Sequence, residues 1–189
     1  MKRNRCTRPH RALPLRACYL CPMAETKLQG NPVHTVADLP AIGSKAPDFT
    51  LVKNDLGELK LSDLAGQTVV LNIFPSIDTW VCASSVRRFN SEAAQLENTT
   101  VVGVSMDLPF ALGRFCAAEG IDKVITTSAF RSDFGADYGV KLIDGGLAGL
   151  LARSIVVIAP DGTVKYTELV PEITTDPNFE AALAAVIHL

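Results

Sequence analysis

A seven-residue uncharged run, Thr68 to Phe74 (TVVLNIF), stands between Gly66 and Pro75. A run this short, rich in β-branched residues and lacking polar alternation, reads as a central strand buried on both faces. Pro75 ends it, because a proline ring removes a ladder donor. Beyond the proline, Asp78 and Thr79 offer an N-cap, and Cys82, Val86, Phe89, Ala93 and Leu96 recur at steps of four and three. That stripe is one face of an amphipathic helix. The chain must therefore send a helix off a central strand, with Cys82 in its first turn.

The first-turn amides of a helix lack intrahelical partners and carry partial positive charge, which favours an anion such as a thiolate. A cysteine so placed can act as a nucleophile. Cys82 also shares its stripe with apolar residues, and free cysteine is among the most buried residue types, so an inert core thiol fits the same letters.

Short strands and helical stretches alternate through the rest of the chain. Val33 to Val36 and Asp48 to Lys53 read as early strands, and Asn54-Asp55-Leu56-Gly57 as a hairpin turn toward Leu59 to Leu61. The helix from Cys82 should run to about Glu97 and lead to a strand over Thr100 to Met106. Asp107 and Pro109 open a second helix, with Leu112, Phe115 and Cys116, that Gly120 closes. Val124 to Ser128, Arg153 to Ala159 and Thr163 to Val170 read as strands, the last two joined by Pro160-Asp161-Gly162. A loose helix lies near Ser132 to Tyr138, and an alanine-rich helix is expected from Asp176. This order suits a three-layer α/β sandwich.

Length and composition narrow the function. The 189 residues are 48% hydrophobic and 20% charged, enough for one soluble domain with a substantial core, and no run of eighteen apolar residues spans a membrane. Six of the 18 Lys and Arg fall in residues 1 to 22, which hold no acid, so twelve basic residues face twenty acidic ones in the body. An acidic body without a basic stripe argues against nucleic acid as a partner. Gly145-Gly146 to Gly149 lacks the lysine of a phosphate loop, and no carboxylate pair stands at a spacing for acid-base work.

The leader, residues 1 to 22, is expected to be a disordered basic segment ahead of a single domain over 23 to 189, and Met23 raises the alternative of upstream read-through. Pro14 and Arg16 break the apolar stretch that a secretory signal needs, so a cytoplasmic location is expected. Cys6, Cys18 and Cys21 lie in this leader; Cys18 and Cys21 form a C-x2-C, but Cys6 and His10 supply a zinc site poorly and no strand precedes the pair. No metal and no cofactor are expected. His34 and His188 lack a partner motif and read as surface or packing residues.

Pro75, Thr79 and Cys82 form P-x3-T-x2-C. That pattern resembles the active-site motif of peroxiredoxins, and NIFPSIDTWVCASSVRRFN, DLPFALGRFCAAEG and GLLARSIVVI together resemble the bacterial thiol peroxidases, the atypical two-cysteine branch. The resemblance runs from about Gln29 to the C-terminus. It implies a thioredoxin-like sandwich with a mixed central sheet and an N-terminal β-hairpin, and a peroxidase acting on hydrogen peroxide and organic hydroperoxides. It also implies a role for each site residue: Cys82 as peroxidatic nucleophile, Thr79 as hydrogen-bond partner, Pro75 as shield, and Arg153 as the arginine that stabilises thiolate and transition state. Cys116 is implied as the resolving thiol, thioredoxin as reductant, and a homodimer as the assembly.

The residues bear on these roles independently. Reducing a peroxide requires stabilising negative charge first on sulfur and then on the leaving oxygen. Arg153 opens an apolar strand, where a charge is costly unless it faces an anion. Asp78 opposes a thiolate unless it caps amides or pairs with an arginine. Trp80 can narrow the approach or pack over substrate, and Leu108, Phe110, Leu150 and Leu151 are candidate apolar walls. Two other readings stay open, a dithiol-disulfide exchanger and a non-enzymatic redox sensor. The exchanger is disfavoured because Cys82-Ala83-Ser84-Ser85 has one thiol where a C-x2-C is required.

Overall fold

The computed structural model describes residues 23–187; the leader with its three cysteines, and His188, lie outside the described residues. The run after Gly66 is a strand whose six residues are all buried (Thr68–Ile73, β5). It lies third from one edge of a seven-stranded mixed sheet whose other strands are Thr50–Lys53 (β3), Glu58–Lys60 (β4), Thr99–Ser105 (β6), Val124–Ser128 (β7), Ser154–Ile158 (β8) and Val164–Leu169 (β9). The spatial order is β4-β3-β7-β6-β5-β8-β9, with β6 parallel to both β5 and β7 and the other pairings antiparallel.

Alternation along β5 divides the core. Val69, Leu71 and Ile73 face one layer with Phe49, Phe134, Tyr138 and Leu151; Val70 and Phe74 face the other with Cys82, Val86, Phe89 and Leu112. Helices Trp80–Ala93 (α1), Pro109–Glu119 (α2) and Phe179–Ile187 (α4) contact the sheet at β6, β7 and β8, while the single turn Phe134–Asp137 (α3) packs into the first layer. Strand, helix and parallel strand thus repeat twice from β5 to β7, which brings helix starts to the C-terminal ends of β5 and β6.

A separate hairpin, Glu25–Leu28 (β1) with Asn31–His34 (β2), turns at Gln29 and Gly30, both at positive φ (53° and 80°). The expected strand at Val33 to Val36 is therefore shifted, and β1 gave no sequence signal because ETKL lacks apolar alternation. This hairpin is fastened to the segment after β9: Lys27 N donates to the Pro171 carbonyl at 3.0 Å, Ile173 N to the Lys27 carbonyl at 2.8 Å, and Thr26 Oγ1 to the Val170 carbonyl at 2.6 Å.

Helix boundaries moved for local reasons. The first helix ends at Ala93, and Leu96 continues only as a turn, its amide bonding the Ala93 carbonyl at 3.3 Å. The last helix starts at Phe179, not Asp176, because Asn178 Oδ1 accepts the Ala181 amide at 3.0 Å. Gly120 closes α2 in the left-handed conformation, φ 66°. Among the described residues no helix is long and apolar enough to cross a membrane.

Candidate active site

The sequence from β5 into α1 builds the site. Pro75 to Thr79 form the turn between them, and Asp107, at the end of β6, holds that turn in place. Its carboxylate accepts Ser76 Oγ at 2.8 Å, Ile77 N at 2.7 Å and Ser105 Oγ at 2.8 Å. Asp107 was expected to open α2; Pro109 at N1 does that with Leu108 as N-cap, and the carboxylate turns back to the site loop. No spacing rule announces such a contact between two loops.

Thr79 occupies the N-cap position of α1 but makes no capping bond with its side chain. Its hydroxyl lies 2.9 Å from the Ser76 carbonyl and 2.8 Å from Cys82 Sγ. One hydroxyl proton serves two acceptors, so the arrangement can follow the charge on sulfur. Beside a neutral thiol, the hydroxyl donates to the carbonyl and accepts S–H; beside a thiolate, it turns to donate to sulfur.

Cys82 is wholly buried at the start of the Val86 and Phe89 stripe. The second polar neighbour of its sulfur is Arg153, whose Nη2 lies 3.2 Å from Sγ. Arg153 is 1% exposed, and its Nε donates to the Ile173 carbonyl at 2.8 Å. Nη1 is buried without a partner, and among the described residues no carboxylate pairs with this guanidinium. Burying a cation without an anion is strongly unfavourable. Among the described residues the group beside it that can carry a negative charge is the Cys82 sulfur, and Nη1 keeps a donor that no protein acceptor uses.

Above these groups lies a largely apolar cavity of about 240 Å³. Pro75, Thr79 and Arg153 contribute to its wall, together with Leu28, Trp80, Val81, Leu147, Leu150 and Ile173. Trp80 is 81% exposed and edges the opening. Of the four residues expected as apolar walls, Leu150 is in place. Leu151 points into the core beside Phe134 and Tyr138, and Leu108 and Phe110 are exposed and do not line the cavity. Leu28, Leu147 and Ile173 were not singled out from sequence, since each comes from a loop or strand remote from the motif. Asp78, whose charge seemed unfavourable, pairs with Arg114 at 3.2 Å on the surface.

Cys116 lies apart from this cluster, in the last turn of α2. Its sulfur faces Thr126 Oγ1 on β7 at 3.1 Å, with Asn54 Nδ2 at 3.7 Å. The strand of Thr126 and the strand that Arg153 leads into are three positions apart in the sheet, about 14 Å at ~4.8 Å per strand. Cys82 and Cys116 are both free thiols. No group of His, Cys, Asp and Glu able to hold a metal ion occurs among the described residues. Asp144 holds His34 at the surface: the His34 amide donates to Oδ1 at 2.8 Å and Nδ1 lies 2.7 Å from Oδ2, and these bonds, the amide first, hold the Asp144 carboxyl below the usual carboxylate range.

The Redoxin family matches residues 41–183. Thiol peroxidases from Mycobacterium tuberculosis and Corynebacterium glutamicum are 58% and 56% identical over 164 residues, covering 87% of this chain and 99% of each relative. The crystal structure of a peroxiredoxin-like protein from Aquifex aeolicus superposes with a TM-score of 0.84 at 39% identity, covering 88% of this chain and 98% of that one. A thiol peroxidase from Chromobacterium violaceum shares the fold, with a TM-score of 0.77 at 19% identity over 87% of this chain and 95% of its own. The chain belongs to the redoxin family and, within it, to the thiol peroxidases, a family of thiol-dependent peroxidases.

Proposed function

We propose that Cys82 is the peroxidatic nucleophile and Cys116 the resolving thiol of this peroxidase. The observation that carries the reading is the buried Cys82 sulfur, 2.8 Å from the Thr79 hydroxyl and 3.2 Å from Arg153 Nη2, beside a guanidinium nitrogen with no partner. The thiolate attacks the terminal oxygen of a hydroperoxide, the O–O bond breaks, and alkoxide or hydroxide leaves to take up a proton. Cys82 is left as a sulfenic acid. Arg153 holds the thiolate with Nη2 and offers Nη1 to the leaving oxygen, while Thr79 donates to sulfur and Pro75 shields the site from bulk water.

The sulfenic acid then condenses with Cys116 to a disulfide and water. A disulfide needs Cα atoms about 4.4 to 6.8 Å apart, so the first turn of α1 and the Cys116 end of α2 unwind in part to form it. Closing a loop with 33 residues between its cysteines constrains the unfolded chain by about 4 kcal/mol on the entropy model. Thioredoxin reduces the bridge by dithiol exchange, and hydrogen peroxide and organic hydroperoxides are the substrates. The assembly is a homodimer and the location cytoplasmic. No cofactor or metal is needed for these steps, and residues 23 to 189 carry the chemistry without a part for the leader.

The test is trapping. With Cys116→Ser, one equivalent of peroxide should leave a sulfenic acid on Cys82 that dimedone labels, and thioredoxin-dependent turnover should stop. Cys82→Ser should consume no peroxide. Dimedone on another cysteine, or unchanged turnover in either variant, contradicts the assignment.

A further inference from the structure

The helix that carries Cys116 is lightly anchored at that end. Among the eleven residues of α2, the buried ones are Pro109 and Leu112, both in its N-terminal half; toward the Cys116 end Phe115 packs against the core only in part, and Gly113 loosens the middle. An exposed pair, Arg87 with Glu119 at 2.8 Å, ties the last turn to α1 but is screened by solvent. Such a segment opens readily unless something inside holds it.

Two polar side chains supply that hold, and neither belongs to the Cys82 cluster. Asn54 comes from the hairpin turn between β3 and β4, and Thr126 from β7, where it is 2% exposed. They bind each other, Asn54 Nδ2 donating to Thr126 Oγ1 at 2.9 Å and Asn54 Oδ1 accepting from it at 3.2 Å. Both contact the Cys116 sulfur, at 3.7 Å from Asn54 Nδ2 and 3.1 Å from Thr126 Oγ1. The thiol is thus fastened toward the sheet, on the side away from Arg153.

We propose that Asn54 and Thr126 are positioning residues that retain Cys116 in the folded enzyme and so set the rate of resolution. This rests on the assignment of Cys116 as the resolving thiol. In that step the S–O bond of the Cys82 sulfenic acid breaks, an S–S bond forms, and the Cys116 proton leaves with the hydroxyl as water. While Cys116 is held, the sulfenic acid persists and a second peroxide can convert it to sulfinic acid. The pair therefore governs the division between turnover and inactivation.

Stopped-flow fluorescence of the reduced full-length protein tests this, because Trp80 is the sole tryptophan and stands two residues from Cys82. The phase whose rate grows with hydrogen peroxide reports attack on Cys82; the phase independent of peroxide reports disulfide formation, with the bridge confirmed by quenched peptide mass spectrometry. Asn54→Ala and Thr126→Val should accelerate the second phase about three- to tenfold, the loss of one or two hydrogen bonds. The first phase should stay within about twofold, showing an intact Cys82 site, and the peroxide concentration for half-inactivation should rise. Thr126→Ser, which keeps the hydroxyl, should behave as wild type. A second phase unchanged or slower in both Asn54→Ala and Thr126→Val overturns the proposal. Failure of the wild type to form a Cys82 to Cys116 bridge overturns the assignment of Cys116 itself, a separate outcome.

Discussion

Arg153 reaches Cys82 with Nη2 at 3.2 Å while its Nε is fixed on the Ile173 carbonyl at 2.8 Å. The planar fork makes both contacts from one rigid group, and Nη1 is buried with no partner among the described residues. Lysine keeps the charge but cannot reproduce the fork. Arg153→Lys should therefore lower the second-order rate constant for peroxide about 100-fold, the scale of losing a transition-state donor. Stopped-flow kinetics on Cys82 oxidation measures it, and a loss below about threefold would place Arg153 outside the reacting set.

Thr79 separates two effects that usually coincide at a helix start. Because its hydroxyl serves Cys82 and the Ser76 carbonyl and caps no amide, its removal should affect chemistry more than folding. Thr79→Val should slow peroxide reduction about 10- to 100-fold while changing stability by no more than ~1 kcal/mol. Thr79→Ser should restore the rate to within a few fold. Paired denaturant melts and single-turnover kinetics distinguish the two.

Asp107 acts at one remove from the sulfur. Its carboxylate satisfies the Ile77 amide and the Ser76 hydroxyl, so truncation leaves half-buried donors unpaired and frees the turn that carries Thr79. Asp107→Ala should cost about 2 kcal/mol and reduce reactivity toward peroxide even well below its melting temperature. Full reactivity in a merely destabilised variant would show that the turn holds itself.

Glu172 ties the N-terminal hairpin to the segment that anchors Arg153. Bonds from the Gly30 amide first, then from the Thr174 hydroxyl and nearby amides, bring its carboxyl from 4.5 down to about 2. A depressed carboxyl contributes stability above its unfolded value and loses that contribution as pH falls toward the folded one. The difference in melting temperature between wild type and Glu172→Gln should hold steady above about pH 5 and shrink between pH 4.5 and about 2. A difference independent of pH across that window contradicts the assignment.

What the sequence disclosed, and what it withheld, follows from the range of the interactions. The buried strand, the proline and the stripe from Cys82 are local patterns, and β5 and α1 stand where those patterns put them. An arginine at the head of an apolar strand left open in the sequence whether it faced an anionic site or solvent; its side chain is buried, with Nη2 3.2 Å from Cys82 Sγ. Asp107 and Asn54 read as a helix opener and a turn residue, and each does more by reaching another element, over 30 and 62 positions respectively. Such contacts leave no periodicity behind. Leu151 was misplaced for a related reason: next to Leu150 in sequence, it faces the opposite way, into the core.

The proposed mechanism turns on a two-cysteine cycle between Cys82 and Cys116. Its most direct test is peptide mass spectrometry after one equivalent of hydrogen peroxide, with free thiols alkylated under denaturing conditions. A Cys82 to Cys116 bridge should form within a single turnover and disappear on addition of reduced thioredoxin. Cys82 recovered as free thiol while Cys6, Cys18 or Cys21 is oxidised would contradict it.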